Sequence, residues 1–173
     1  MKVEIIIYKI LSFLLLPVAA LLAMNCLAAI VIALANPPIL ITVFLFACIA
    51  IYIIASYLFL TRGIDRNSPR KPVLRDWIRI NGFITLLLGI VGSVMFTGVT
   101  LKPADAKMML DQLQAQNHMQ LGIGIAEFQK ILNGFMKAMA VISIVLVVHV
   151  LITFHLMRRF RYLFSDGDIN TDS

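Results

Sequence analysis

The chain of 173 residues is 61% hydrophobic and carries 15 basic and nine acidic side chains, for a formal net charge of +6. The charges are unevenly placed, because residues 10–61, 80–101 and 138–157 contain none of them, which leaves 94 uncharged positions in three stretches. An ordinary globular chain is about one quarter charged, and apolar runs of roughly 18 residues can cross a bilayer. The composition therefore predicts an integral membrane protein and excludes a secreted disulfide scaffold, a disordered chain and a typical soluble enzyme.

The first uncharged run predicts two membrane spans. As one helix its 52 residues would be about 78 Å long, more than twice the thickness of the hydrocarbon core. Asn36-Pro37-Pro38 supplies a break, since proline lacks an amide donor and disfavours helical geometry in the residue before it. We predict span one at about 10–35 and span two at 39–60, joined as a tight antiparallel hairpin. A cleaved signal peptide fits poorly, because a signal core is only about 7–15 residues long.

The other two runs predict span three at 80–101 and span four at 138–157, and the basic residues predict the orientation. Lys and Arg near span ends stay on the cytoplasmic side. Eleven of the 15 basic residues lie before span one, in the loop 61–79 or after span four. We therefore expect an all-α, four-helix transmembrane bundle with both termini in the cytoplasm, in a plasma or bacterial inner membrane. It should form a single domain over 1–165, followed by a disordered polar tail at 166–173.

Basic side chains clustered beside the spans also predict contacts with anionic lipid headgroups, worth roughly 1 kcal/mol each near the surface. Trp77, at the entrance to span three, suits the same interface. The residues expected to contact headgroups on the cytoplasmic side are Arg62, Arg66, Arg70, Lys71, Arg75, Arg79, Arg158, Arg159 and Arg161. Because such residues are expected beside spans for topology alone, we predict no nucleic-acid partner.

An outer segment, 102–137, separates spans three and four. From Phe128 to Met139 its apolar residues recur at intervals of three and four, which predicts an amphipathic helix leading into the fourth span. We expect a bend near Asn133-Gly134, because an unbroken helix into the tail would exceed about 50 Å, and a shorter helix at about 104–117. This layer should cap the bundle, with a partner-docking surface as the alternative.

Span three contains a regular row of small and polar residues, which we call the seam. Its members recur at every fourth position and are Asn81, Thr85, Gly89, Ser93 and Thr97. Small residues at this spacing allow helix backbones to approach closely, and hydroxyls can hydrogen-bond across such a contact. The seam predicts that span three is the central packing helix, either within the chain or against another protomer.

An ionisable group inside a membrane is costly and is retained mainly when it has a partner or a function. His149 is predicted near the middle of span four and, counted in residues from the outer turn, at about the level of Asn25 and Ser93. We predict that Asn25 and His149 face the bundle interior and hydrogen-bond each other or Ser93, since unpaired polar groups in hydrocarbon are destabilising. Two interpretations stay open, in which these groups pin the helix packing or His149 carries a proton.

Cofactor and catalytic signals are weak. Cys26 and Cys48 lack metal-ligand spacing and are expected to be small buried apolar residues rather than a disulfide. Haem would need a second axial ligand besides His149, and no second deep histidine exists. A methionine such as Met24 or Met95 could serve, but the methionines are more simply explained as membrane-core residues, so no cofactor is predicted. No motif of nucleophilic or metal-dependent catalysis occurs, and we assign no catalytic or metal-binding residue.

These observations favour a non-enzymatic accessory or scaffold subunit that acts through helix packing and partner assembly. It would be a homo-oligomer or a subunit of a larger membrane complex. The alternative is an oligomeric small-solute, ion or proton-coupled transporter that uses His149.

Overall fold

The computed structural model describes residues 2–68, 71–101 and 125–164, and within these ranges it is helical and contains no strand. Its α-helices are α1 (Lys2–Ala35), α2 (Ile39–Leu58), α3 (Pro72–Leu101) and α4 (Ile125–Arg159). Four helical stretches are long and apolar enough to cross a membrane, which confirms the predicted number.

Three of the predicted features lie outside the described residues. They are the helix at about 104–117, the polar tail at 166–173 and the headgroup contact of Arg70.

The helices extend beyond the predicted spans. The spans were bounded at the first charged residue, whereas α1 and α3 begin eight residues earlier than predicted and α4 begins at Ile125. A helix requires only its backbone hydrogen bonds, and long charged side chains at its ends can reach water while their stems remain packed. The predicted loop 61–79 is therefore largely helical. At Asn133-Gly134, where we expected a bend, α4 continues uninterrupted, so the amphipathic segment and span four form one helix of 35 residues.

α2 continues into a π-helical turn, Phe59–Ile64, which the sequence did not indicate. The backbone N–H of Asp65 donates to the carbonyl of Leu60 at 2.9 Å, five residues back. A methyl carbon at Gly63 would lie 3.1 Å from the Phe59 ring, so glycine suits this wide turn. The segment ends at an ion pair between Lys9 and Asp65, 2.9 Å apart.

The described helices form two compact units. The first comprises residues up to Leu87 and from Leu146 onward, so it contains α1, α2, the first half of α3 and the second half of α4. The prediction of a single domain over 1–165 stays a prediction.

Small residues form the contact between α1 and α2 near the turn that joins them. Cys26, Ala29 and Ala33 pack against Val43 and Ala47, and the Cys26 thiol donates to the Val43 carbonyl at 3.6 Å. Cys26 and Cys48 are both free and buried, as predicted. The Asn36-Pro37-Pro38 turn connects the two helices, so the predicted hairpin is confirmed.

At Gly82, α3 approaches both α2 and α4 closely within the first unit. A methyl carbon there would lie 3.1 Å from the Phe154 ring of α4 and 3.2 Å from the Tyr52 ring of α2. Distances this short are tighter than ordinary van der Waals contact, so the absence of a side chain is what allows the three helices to meet. The neighbouring Ile78 and Thr85 are completely buried.

The second unit, Leu88–Val145, contains the second half of α3 and the first half of α4. A methyl carbon at Gly92 would lie only 2.8 Å from the Ser143 hydroxyl oxygen. The apolar face of the amphipathic segment is divided, because Met136 is buried whereas Ile131 and Phe135 are exposed.

We expect Gly92→Ala to destabilise the protein by about 1–2 kcal/mol, because the new methyl group overlaps the Ser143 hydroxyl. Ser143→Ala in the same chain should recover at least half of that loss, since the nearest remaining Ser143 atom lies 3.5 Å away. The measurement is a double-mutant cycle on the free energy of unfolding in a denaturing-detergent titration. Additive effects of the two changes would show that this contact does not limit the helix approach.

Candidate functional site

Six polar and aromatic side chains meet in the first unit, and we call them the buried polar cluster. Each of three helices contributes two residues four positions apart, which places both on one helical face. The six residues are Tyr8 and Ser12 of α1, Tyr52 and Ser56 of α2, and His149 and Thr153 of α4. None is more than 1% exposed.

The hydrogen bonds of the cluster determine where each proton lies. The Thr153 hydroxyl donates to the His149 backbone carbonyl at 2.7 Å, which uses its only hydrogen. Tyr52 must therefore donate its hydroxyl hydrogen to Thr153 Oγ1, 2.8 Å away. It follows that His149 Nδ1–H donates to the Tyr52 oxygen at 2.8 Å.

The second ring nitrogen of His149 completes this assignment. With Nδ1 protonated in a neutral imidazole, Nε2 is an acceptor, and it receives the Ser12 hydroxyl at 2.9 Å. The histidine is thus held as its Nδ1–H tautomer by α1 on one side and α2 on the other. No buried side-chain nitrogen or oxygen in the described residues lacks a hydrogen-bond partner.

Aromatic rings enclose the imidazole. The Tyr8 ring stacks on it with centroids 5.0 Å apart and an interplanar angle of 19°. The Tyr52 ring meets it edge to face at 5.7 Å and 76°. The Tyr8 hydroxyl donates to the Ser56 carbonyl at 3.1 Å. Both arrangements are favourable for aromatic pairs, so the cluster joins three helices by packing as well as by hydrogen bonds.

The chemistry open to this cluster is limited by how completely it is satisfied. Both His149 nitrogens are engaged with hydroxyl groups, so neither has a lone pair directed at an empty site where an iron could bind. In the described part of the chain, no three His, Cys, Asp or Glu side chains come close enough to hold a metal ion. The geometry is that of a buried hydrogen-bond network that joins α1, α2 and α4.

The predicted pairing of Asn25 with His149 is wrong. His149 bonds to Ser12 and Tyr52, whereas the exposed Asn25 amide donates to the carbonyl of Leu21 in its own helix at 2.8 Å. Ser93 also bonds within its own helix, to the Gly89 carbonyl at 2.6 Å.

Asn25 and His149 were predicted to meet because their residue numbers placed them at a similar depth in the membrane. Two residues at the same count from their helix ends lie at the same depth in the membrane only when both helices begin at the same depth and have the same tilt. In the structure, α4 begins at Ile125, thirteen residues before the predicted start of span four. The residue of α1 that meets His149 is Ser12, thirteen residues before Asn25.

The seam is buried in its first three members, Asn81, Thr85 and Gly89, and half-buried at Ser93 and Thr97. Its side-chain hydrogen bonds run along α3 rather than across to another helix. Asn81 donates to the Trp77 carbonyl at 2.9 Å and Thr85 to the Asn81 carbonyl at 2.7 Å. The small side chains of the seam therefore allow close helix contacts, but they form no hydrogen bond from α3 to another described helix.

The residues predicted to contact headgroups are all exposed where described, except Arg75, which is half-buried. Arg159 lies 3.3 Å from Glu4 and so links α4 to α1. Exposed pairs of this kind contribute about 0–1 kcal/mol. Four other members of the set line one cleft, which is considered below.

Sequence reasoning missed Tyr8, Ser12, Tyr52, Ser56 and Thr153. Tyr8 lay before the predicted start of span one, and the tyrosines were counted only as apolar residues. A usable signal was present, since Tyr-x-x-x-Ser occurs twice and His-x-x-x-Thr once within otherwise apolar helices. A spacing of four places the two polar atoms of each pair on one face.

Comparison with protein-family models, with curated proteins and with solved structures found no significant match.

Proposed function

We propose that this chain is a non-enzymatic, four-span membrane protein that works by assembly, with both termini in the cytoplasm, and that it pairs with a second copy of itself through α1. The observation that carries the proposal is the environment of Asn25. The buried polar cluster supports it in a different way, because it stabilises the fold of each copy without leaving a reactive group.

Asn25 stands on the exposed face of an apolar helix. It precedes the last residue of α1, Ala35, by ten positions, which places it about 15 Å from that end and near the centre of a bilayer core of about 30 Å. Its amide donates one hydrogen to the Leu21 carbonyl. Within the described residues the second amide hydrogen and the carbonyl oxygen of the side chain have no partner. An unpaired amide in hydrocarbon is destabilising, so the exposed face requires a polar partner.

A second copy of the chain is the partner that fits the chemistry of an amide. The side chain carries both a donor and an acceptor, so two asparagines related by a two-fold axis satisfy each other reciprocally. The exposed Ala28 lies three residues further along the same face, and a small residue there allows close helix approach. A cationic or purely apolar partner would leave the carbonyl oxygen or the amide hydrogen unpaired.

The buried polar cluster argues against the transporter alternative. His149 is completely buried, and both its nitrogens are bound to groups of the same chain. A transport pathway through His149 would need one of these bonds to open toward water on each side in turn. The cluster is instead fully satisfied in its neutral form, which suits a permanent link between helices.

The test of the proposal is Asn25→Leu, with Asn25→Gln and Met24→Leu as controls. Each variant is labelled with donor and acceptor dyes and reconstituted in vesicles over a range of protein-to-lipid ratios. Two interhelical hydrogen bonds of roughly 0.6–2 kcal/mol each predict that Asn25→Leu weakens dimerisation at least about sevenfold. Asn25→Gln keeps the amide, and Met24→Leu alters an exposed neighbour, so both should dimerise like the wild type.

Equal energy transfer in wild type and Asn25→Leu, at a level expected for monomers, would reject the proposed dimer. The transporter alternative is measured in the same vesicles with an enclosed pH-sensitive dye. We expect no proton flux above that of empty vesicles. If proton flux is present in the wild type and lost in a folded His149→Asn variant, the transporter alternative would be favoured over the assembly proposal.

A further inference from the structure

A cleft of about 690 Å³ opens beside the basic end of the first unit, between the start of α3 and the end of α4. Both helices contribute arginines and apolar side chains to it. Its lining residues are Arg75, Arg79, Phe83, Phe154, Met157, Arg158 and Arg161. The buried polar cluster contributes no residue to this lining, so the cleft is a separate feature.

The two helices arrange these side chains in the same order. On α3, Arg75, Arg79 and Phe83 follow each other at intervals of four and so share one face. α4 runs in the opposite sense, and Phe154 precedes Arg158 by four residues. In both cases the arginines lie toward the end of the unit and the aromatic rings lie one turn deeper. The cleft therefore has a cationic mouth and an apolar floor.

Among the described residues, one carboxylate pairs with the arginines of the mouth. No acidic side chain is among the lining residues. Arg75 Nε lies 3.4 Å from the carboxylate of its neighbour Asp76. No carboxylate of the described residues pairs with Arg79, Arg158 or Arg161. Guanidinium groups bind phosphate oxygens through two parallel hydrogen bonds each, so four of them can surround two phosphates.

We propose that this cleft binds one phospholipid molecule whose headgroup carries two phosphates. The phosphates lie among the four arginines, and an acyl chain lies on Phe83, Phe154 and the buried Met157. Cationic pockets between membrane helices suit headgroups of this class. A general attraction of basic residues to an anionic surface requires no such arrangement, whereas a bound lipid requires both the cationic mouth and the apolar floor beneath it.

The test uses the purified full chain and cardiolipin as the two-phosphate probe, with binding measured by native mass spectrometry. Phosphatidylglycerol, with acyl chains of the same type, supplies one phosphate and two chains in place of two phosphates and four chains, and pyrophosphate supplies two phosphates without chains. The variant Arg79→Gln with Arg158→Gln removes two charges from the cleft. The matched control, Arg66→Gln with Lys71→Gln, removes two exposed charges from the same end of the protein but outside the cleft.

We expect one cardiolipin per chain, bound at least about tenfold more tightly than phosphatidylglycerol, since two further arginines are used. The cleft variant should bind cardiolipin about 25-fold more weakly, and the control variant should bind it as the wild type does. Arg161→Gln alone, which alters the end of the cleft beyond α4, should weaken binding about fivefold and keeps the test valid if the double variant does not fold.

Three results would overturn the proposal. Equal weakening in the cleft and control variants would mean that only general surface charge acts. Equal affinity for cardiolipin and phosphatidylglycerol would remove the two-phosphate specificity. Pyrophosphate binding as tightly as cardiolipin would identify a free phosphate compound as the ligand, because the apolar floor would then contribute nothing.

Discussion

Replacing Gly82 by leucine is expected to cause the largest loss of stability of any single change considered for this chain, about 3 kcal/mol or more in the free energy of unfolding. A methyl carbon at this position already lies 3.1 Å from the Phe154 ring and 3.2 Å from the Tyr52 ring. A leucine would force α3 away from both helices or turn the two rings. Displacing the Tyr52 ring would also disturb its hydrogen bonds to His149 and Thr153.

The matched control is Gly134→Leu. In the part of the chain that the structure describes, no atom outside the helix's own backbone lies within 4 Å of a methyl carbon at Gly134, so we expect no overlap from the substitution. It should leave stability unchanged or raise it by up to about 0.8 kcal/mol, because leucine is the better helix former. Both variants are measured by titration with a denaturing detergent. Equal stabilities of the two variants would mean that Gly82 is not a point of close packing.

Tyr52→Phe is expected to destabilise the protein by about 1–3 kcal/mol, although it removes a single oxygen atom. The Tyr52 oxygen is the acceptor for His149 Nδ1–H, and it is the partner that the described residues provide for that nitrogen. A buried N–H group without an acceptor lowers the free energy of unfolding, because it has lost its hydrogen bond to water and gains none in the folded protein. In the alternative Nε2–H tautomer, Nδ1 would carry no hydrogen and so would not be an unpaired donor. The Ser12 hydroxyl would then lose Nε2 as its hydrogen-bond acceptor.

Tyr8→Phe is the matched control for Tyr52→Phe, since both tyrosines are completely buried and touch the same histidine. The Tyr8 hydroxyl donates to the Ser56 carbonyl, which also accepts the backbone N–H of Phe59. Its removal leaves no buried donor unpaired, so we expect a loss below about 1 kcal/mol. If the two variants unfold at the same detergent concentration, the proton assignment in the cluster is wrong.

The two proposals for function assign different tasks to different parts of the chain. The proposed dimer uses the second half of α1, which contacts α2 through small residues and leaves Asn25 exposed. The proposed lipid site uses the basic end of the first unit, at the start of α3 and the end of α4. The buried polar cluster fixes α1 and α2 against α4 and, through the Tyr52 contact at Gly82, against α3.

Charge placement and proline chemistry were enough to predict the number of helices and the hairpin. The absence of charge over 10–61, with a break at Asn36-Pro37-Pro38, allows only two helices in that region. The bounds were less accurate, because a helix does not end where its first charge stands. The π-helical turn after α2 had no sequence signal at all, since its residues are also compatible with an ordinary α-helix.

For the candidate sites, too, some features could be predicted from the sequence and others could not. The sequence by itself predicted that His149 is buried and that the arginines cluster beside the helix ends, whereas the central packing role of α3 stays a prediction. Only the tertiary structure decided that His149 meets Ser12 and Tyr52, that Asn25 faces outward, and that four arginines share a cleft. Periodicity reports which residues share a face of one helix. It carries no information on the level and rotation of one helix against the next, which depend on side-chain packing at points such as Gly82.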